Sequence, residues 1–368
     1  MQIMSWGSYY DQLEQIKLVL ARNFTVVDVY FEAGVLTFKV SETWIKERFR
    51  ECVKQLKSIN MIATARLESD GVKIRVYPYR LPPANRYRLP IILALVSIVA
   101  VAADGYLRST SSVFNLLPIR YGFPDMVFNA AIYATSLFAI IFIHEMGHKI
   151  SARIDGVATS APYFIPGLPG FIPTLGAVIF QKEPLTNRDD MFDIGVSGPV
   201  AGFIVCVVVT FIAFETAIWI PIDRYIGIIS AISAEGAVLE PPLLIQLVGM
   251  LYSRGGEAPF FMNVGFAAWL GLVVTALNLL PIWQLDGGRI FRSFLSRRQH
   301  IAASYISIAI LVASGYYFMA IMILLLMSRS ADIAPLDEVS PLSPGRKLSI
   351  IGIMAILILS FVPISRLF

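Results

Sequence analysis

Two histidines and a glutamate near the middle of the chain have the spacing of a metal-binding helix. They lie in the segment Ile143-His144-Glu145-Met146-Gly147-His148. In a helix, His144 and His148 are one turn apart on the same face, so both imidazoles can reach one metal ion. Glu145 is next to the first histidine, where a carboxylate can polarise a water molecule at the metal. The pattern predicts metal-dependent hydrolysis.

The surroundings of this motif favour a functional role. It closes an apolar run from Met126 to Ile143 that is long enough to cross most of a membrane. Ionisable side chains are costly at membrane depth and usually serve function there. The alternative interpretation is a helix end that emerges among lipid headgroups, with its histidines and glutamate merely solvated.

A third metal ligand is needed, because catalytic zinc sites usually combine three protein ligands with one open position. Asp286 is the candidate, in the segment Asn278-Leu-Leu-Pro281-Ile-Trp-Gln-Leu-Asp286-Gly287-Gly288. Pro281 interrupts the preceding helix, and the two glycines permit a tight chain reversal. The alternative for Asp286 is a helix cap in a surface loop.

Composition assigns the chain to the membrane proteins. Of its 368 residues 56% are hydrophobic, only 15% are charged, and the mean hydropathy is +0.68. The net charge of +4 is small and scattered, so no nucleic-acid partner is expected. The two cysteines, Cys52 and Cys206, indicate neither a disulfide framework nor a cysteine metal site.

Residues 1–80 are predicted to form a small soluble α+β domain with the element order α-β-β-α-β-β. A helix-spaced apolar series runs from Tyr9 to Leu20, and Asp70-Gly71 is typical of a hairpin turn. Ser41 is a candidate cap for the second helix. We interpret this domain as a docking or regulatory module, joined by a linker at 81–88 to a transmembrane domain at 89–368.

About six transmembrane helices are predicted from the apolar runs. The runs are Leu89–Ala103, Met126–Ile150, Phe192–Phe214, Phe261–Leu280, Ile301–Met327 and Leu348–Ile364. Six crossings place both termini on one side, and a modest excess of arginine and lysine there predicts that this side is cytoplasmic. The loop between the last two runs, with Arg329, Arg346 and Lys347, is then expected on the opposite side.

The motifs together resemble the site-2 protease family of intramembrane zinc metalloproteases. That family pairs HExxH at the end of one span with an NxxPxxxLDG element at the end of a later one, and this sequence has both. Residues 192–203, with Gly198 and Gly202, resemble the glycine-rich entry to the span between them. The resemblance covers about residues 125–295. The long insert and the N-terminal domain of this chain look closest to the archaeal and chloroplast branch of the family.

This resemblance implies a site with one zinc ion. Its ligands would be His144, His148 and Asp286, its general base would be Glu145, and Asn278 would stabilise the oxyanion of the reaction. For Asn278 the alternative is a hydrogen bond between helices. The implied substrate is a transmembrane helix of another protein in the lipid bilayer, cut in regulated intramembrane proteolysis.

A β-hairpin before the third span is also implied, because Phe171–Ile179 looks like the family's membrane-associated hairpin. A helical substrate hides its peptide carbonyls in its own hydrogen bonds, so the segment Phe171–Phe180 could offer backbone groups to an unwound substrate. The alternative is a plug that shields the metal from lipid.

Two other functions remain open from the residues alone. One is a membrane metal-ion transporter that uses the same histidine pair, and the other is a catalytically inactive relative that only binds helices. A transporter is expected to have paired broken helices and a pseudo-repeat, neither of which the sequence indicates. An inactive relative is expected to have lost ligands. The expected location is the cytoplasmic membrane, with cytoplasmic termini.

Overall fold

A computed structural model describes residues 6–362, apart from 81, 85, 112–113, 115–116, 118–120, 236–239, 284 and 328–333. The described part of the chain is mainly helical, with three small sheets. The helices are α1 Trp6–Asn23, α2 Lys46–Ser58, α3 Arg88–Ser109, α4 Phe123–Ile154, α5 Arg188–Glu215, α6 Ile222–Glu235, α7 Leu243–Leu251, α8 Asn263–Leu279, α9 Asp286–Phe294, α10 Arg297–Ala313, α11 Tyr317–Met327 and α12 Pro344–Ser360. The strands are β1 Val26–Glu32, β2 Val35–Val40, β3 Met61–Glu68, β4 Gly71–Pro78, β5 Tyr163–Leu168, β6 Ile172–Val178, β7 Ile218–Pro221 and β8 Glu257–Phe260.

The N-terminal region is an antiparallel sheet with two helices, in the predicted order α-β-β-α-β-β. Its strand order is β1-β2-β4-β3. Alternate residues of β2 and β4, such as Phe38 and Ile74, are buried against Phe49 and Leu56 of α2. The prediction of a small α+β region is therefore confirmed. The predicted cap is wrong in position, because α2 begins after Ile45 rather than after Ser41.

Three helices in the described residues are long and apolar enough to cross a membrane: α3, α4 and α5. The shorter helix α8 is apolar on all sides and is buried in the centre of the bundle, where Ala267, Ala268 and Leu272 are inaccessible to solvent. A helix that is apolar all round is stable only inside a bundle or in lipid. The prediction of a multi-span helical membrane protein is confirmed at this level, but six spans are not.

The fifth predicted span is interrupted. Residues 301–327 form parts of two helices, α10 and α11, that pack against each other across a turn. Gly315 occupies the left-handed region of backbone conformation in this turn, with φ +83°. The segment therefore forms a helical hairpin instead of one continuous helix.

The connection between α11 and α12 contacts the N-terminal sheet. Ala65 of β3 donates its N–H to the carbonyl of Leu336 at 2.8 Å, and Arg66 pairs with Glu338 at 3.1 Å. The N–H of Leu336 in turn donates to the carbonyl of Leu185, just before α5. We call residues 334–340 the strap, because they connect the N-terminal sheet to the start of α5.

These contacts contradict the predicted placement of the strap. The six-span topology put this loop on the side opposite to residues 1–80, but Leu336 is buried in the core of the N-terminal region. Helix α12 then runs away from the strap, and the carbonyl of Phe361 accepts a hydrogen bond from Leu243 at the far end of the bundle. The same contacts place the described ends of α12 at opposite ends of the bundle, which does not fit the predicted common side for both termini. Arg366 and Arg329 lie outside the described residues.

Ion pairs attach the N-terminal region to the start of α5. Lys46 pairs with Asp189 at 3.1 Å, and both side chains are almost inaccessible. Arg50 pairs with Asp190. Asp189 also accepts hydrogen bonds from the backbone and the hydroxyl of Ser343, which precedes α12. Several partners compensate the desolvation of this buried carboxylate.

Candidate metal centre

Helix α4 carries three of the predicted site residues close to its C-terminal end. His144, Glu145 and His148 are all buried. The two imidazole rings lie edge to face, with centroids 4.9 Å apart and planes at 75°. This arrangement follows from the one-turn spacing that the sequence predicted.

Asp286 reaches the same point from helix α9, of which it is the first residue. The chain turns sharply between α8 and α9, where Pro281 cannot continue the first helix. The turn is tight enough that a Cβ atom at Gly287 would overlap the Leu280 carbonyl, and one at Gly288 would overlap the Ile282 carbonyl. The two glycines therefore bring the start of α9 against α8 and direct the Asp286 carboxylate towards α4.

The possible ligand atoms of the three side chains lie close together. The Nε2 atoms of His144 and His148 are 3.2 Å apart, and each lies 3.2 Å from a different carboxylate oxygen of Asp286. Two ligands bound to zinc at about 2.0–2.1 Å with a tetrahedral angle are roughly 3.3 Å apart. The observed spacing therefore fits one zinc ion.

A backbone carbonyl fixes the orientation of His148. The Nδ1 atom lies 2.6 Å from the carbonyl oxygen of Ile194 in α5. Because a carbonyl only accepts hydrogen bonds, Nδ1 carries a proton, and Nε2 is the ring nitrogen that faces Asp286 and His144. Such outer hydrogen bonds are typical of metal-binding histidines.

Glycines allow α4 and α5 to approach closely at the centre. A Cβ atom at Gly147 would overlap the Ser197 carbonyl, and one at Gly198 would overlap the His148 ring. At Gly202 it would lie 3.1 Å from Nδ1 of His144. The glycine-rich segment predicted from the sequence thus packs directly on the two histidines, as small residues do where membrane helices meet.

Glu145 is buried beside the histidine pair. Its carboxylate interacts electrostatically with Arg289, in the first turn of α9, and with the backbone N–H of Ile179, just after β6. Glu145 is therefore held beside the ligand set without being part of it. The sequence alone assigned no role to Arg289.

Asn278 lies in the last turn of α8 and is half-buried. Within the described residues its side chain makes no hydrogen bond, so the structure gives no support to the alternative of a side-chain bond between helices. Its amide stands on the same turn that leads into Pro281 and Asp286.

The predicted β-hairpin is formed by β5 and β6. Among the described strands, β6 pairs only with β5, so its other edge has no strand partner. The hairpin lies against α3 and α4, and Phe164 of β5 stacks on Phe138 of α4 at 4.8 Å. Leu168 and Phe171 at its turn are exposed.

A comparison with protein families decides to which family this chain belongs. The profile of peptidase family M50 matches residues 132–322, just over half of the chain. The chain belongs to peptidase family M50. This is the site-2 protease family, so the resemblance seen in the motifs is confirmed. The matched range contains the proposed ligands, Glu145 and Asn278, but neither α3 nor the N-terminal region.

Curated relatives are found in plant chloroplasts. The chain is 29% identical over 219 residues to the probable zinc metalloprotease EGY2, chloroplastic, of Oryza sativa subsp. indica, an alignment that covers 58% of this chain and 38% of the relative. It is 27% identical over 246 residues to the probable zinc metalloprotease EGY1, chloroplastic, of Arabidopsis thaliana, covering 63% and 42%. The chain thus spans about two fifths of the length of these relatives. No solved structure matches it.

Sequence reasoning missed two residues that contribute to the site. Ile194 contributes only a backbone carbonyl, which any residue type would supply. Asp104 of α3 is buried and bonded to the hairpin turn. Its signal was available, since a carboxylate inside an apolar run is unusual at membrane depth.

Proposed function

We propose that the protein is an intramembrane zinc endopeptidase that hydrolyses peptide bonds within or near transmembrane helices of membrane-protein substrates. The observation that carries this proposal is the 3.2 Å spacing of the ligand atoms of His144, His148 and Asp286, with Glu145 beside them. Membership in the M50 family and the name of the chloroplast relatives, probable zinc metalloprotease, support the same reaction.

His144, His148 and Asp286 are the proposed ligands of a single zinc ion. When bound, zinc polarises a carbonyl and lowers the pKa of a water molecule to about 7. Glu145 removes a proton from the attacking water and passes it to the leaving amine as the peptide bond breaks. The Ile179 N–H and Arg289 orient the Glu145 carboxylate for this exchange.

Asn278 is the proposed donor to the oxyanion. A neutral amide stabilises developing negative charge without adding charge to a low-dielectric site. Its half-buried position at the end of α8 and the absence of a competing hydrogen bond among the described residues support this role.

Substrate presentation is assigned to the hairpin. A helical substrate must unwind locally before its carbonyls are accessible, and the unwound strand then needs new hydrogen-bond partners. The free edge of β6 ends beside Glu145, since Ile179 follows the strand directly. An extended segment paired on this edge would run past the general base.

The proposal includes a location and a domain arrangement for the enzyme. The chain is a multi-pass protein of the cytoplasmic membrane, with residues 1–80 on the cytoplasmic side, lipid around it and no nucleic acid. Residues 1–80 form a docked module, 81–88 a linker and 89–368 the protease domain, with its core at about 125–295. The buried pair of Lys46 and Asp189 and the strap support docking of the module on α5.

The decisive experiment uses the purified full chain in liposomes with a single-span substrate that carries a helix-breaking proline. Removal of metal with a chelator should abolish cleavage, zinc should restore it, and mass spectrometry should locate the cut within or beside the span. Zinc flux into the liposomes without cleavage would instead support a transporter. Substrate binding without cleavage would support an inactive helix-binding relative.

A further inference from the structure

Asp104 is a carboxylate buried inside a membrane-length helix. It lies in the C-terminal half of α3 and is completely inaccessible to solvent. An unpaired charge at such depth is very costly, so it must have partners. It has three: the hydroxyl of Tyr133 donates at 2.6 Å, the Nε of Arg108 at 2.7 Å, and the backbone N–H of Gly170 at 2.8 Å.

These partners belong to different parts of the site. Gly170 is in the turn of the β5–β6 hairpin. Tyr133 is on α4, three helical turns before His144. Arg108 is on α3 itself, and its guanidinium lies over the Phe266 ring of α8, 4.0 Å from the centroid. Asp104 therefore joins the hairpin turn to the helix that carries the histidine pair.

The turn has few other attachments. Within the described residues, the bond from Gly170 to Asp104 is the only hydrogen bond between residues 168–171 and any side chain. Leu168 and Phe171 on either side of it are exposed, and Gly170 takes a left-handed conformation with φ +84°. The hairpin also packs along α3, and at its base Phe164 stacks on Phe138 of α4.

We propose that Asp104 is a positioning residue that tethers the hairpin turn to α3 and α4 and so fixes the edge of β6 beside Glu145. The tether acts on substrate binding and rests on the proposed function of the hairpin. Asp104 lies in α3, which precedes the family match at 132–322. The tether is therefore outside the motifs that this chain shares with the family.

A packing role alone would not require a carboxylate. An apolar side chain of similar size fills the same space in lipid without three donors. One carboxylate oxygen bonds the hairpin and the other bonds the two helices, so both oxygens are used. This division lets one residue hold the turn and the helices in a fixed relation.

The first test measures hairpin position without activity. Spin labels at Val99 of α3 and Leu168 of the turn, both exposed, are introduced after replacing Cys52 and Cys206 by alanine. The distance distribution should be narrow in the parent protein and broad in Asp104→Ala. Asp104→Asn keeps one oxygen for the Gly170 N–H and should stay narrow. Ser97→Ala changes a buried polar residue of α3 whose hydroxyl makes no hydrogen bond among the described residues, so it is the matched control and should also stay narrow.

The second test measures cleavage. Asp104→Ala should keep its zinc, because the ligands and Glu145 are unchanged. Its kcat/KM should fall about tenfold through a higher KM, because a hydrogen bond to a charged group is lost. Asp104→Asn should recover most of the loss. If Asp104→Ala does not accumulate, Asp104→Leu with Tyr133→Phe removes the tether without leaving the buried hydroxyl unpaired, and the same results are expected.

Three results would overturn the proposal: an unchanged distance distribution, a broadened distribution with unchanged kinetics, or loss of zinc. Failure of the parent protein to cleave any substrate would instead reject the proposed function. In that case the distance measurement still decides whether Asp104 tethers the hairpin.

Discussion

The Nδ1 atom of His148 lies 2.6 Å from the carbonyl oxygen of Ile194. This contact joins a proposed zinc ligand on α4 to the backbone of the neighbouring helix α5. It requires α4 and α5 to pack almost backbone to backbone, which the glycines at 147, 198 and 202 allow. The orientation of the metal site therefore depends on helix packing as much as on the ligands themselves.

The change Gly198→Ala should remove zinc without changing any ligand. A methyl group there overlaps the His148 ring, so the ring must leave its position beside Asp286. Zinc bound per chain should fall well below that of the wild type, as measured by atomic emission after dialysis. Gly352→Ala in α12, where the added methyl meets nothing within 4 Å, is the control and should keep full zinc. Full zinc in Gly198→Ala would show that the helices can separate without cost to the site.

The change Asp286→Ala should also reduce zinc sharply. The two remaining histidines leave the ion with two protein ligands, one fewer than a catalytic site usually has. An exposed carboxylate elsewhere, Asp223, provides the matched alanine control. If Asp286→Ala keeps normal zinc and normal cleavage, Asp286 is only the first residue of a helix and the ligand set is wrong.

The strap predicts a membrane topology different from six crossings. Cysteines at exposed Ser58 and Pro341, in a background without Cys52 and Cys206, should react with an impermeant maleimide from the same side. A cysteine at exposed Ser253 should react from the other side, because it follows α7 near the end of α12. Labelling of 58 and 341 from opposite sides would restore the six-span arrangement.

Some of these features were accessible from the sequence and others were not. The histidine pair, Asp286 and the hairpin are encoded in short segments with fixed spacing, and the structure brings these parts together as the motifs imply. The break at Gly315 was missed because an average over apolar residues does not register a turn between two apolar helices. The pairing of Ala65 with the strap joins distant parts of the chain, and no local pattern records it.

Acidic residues where α4 ends and α5 begins predict a pH-dependent stability. Burial, together with the nearby Asp190 and Asp193, raises the pKa of Asp155 from 3.8 to about 6. Because the folded state holds this proton more tightly than the unfolded state, its contribution to stability is lost as the pH rises from about 4 to about 6. Asp155→Asn should therefore raise the melting temperature at pH 7 and leave it unchanged near pH 3.5. A shift that is equal at both pH values would contradict this origin.

Glu145 separates chemistry from metal binding. Glu145→Gln keeps the size and hydrogen bonding of the side chain but removes its basic carboxylate, while all three proposed ligands remain. General-base catalysis contributes typically 10²–10⁴-fold in rate. We expect zinc content and melting temperature close to wild type, with cleavage in liposomes reduced by about that factor and substrate recoverable with the inactive protein. Glu183→Gln, a polar change at another carboxylate outside the site, should cleave at the wild-type rate. Normal cleavage by Glu145→Gln would reject the protease mechanism. Loss of zinc together with activity would show that Glu145 stabilises the metal site instead of acting as the general base.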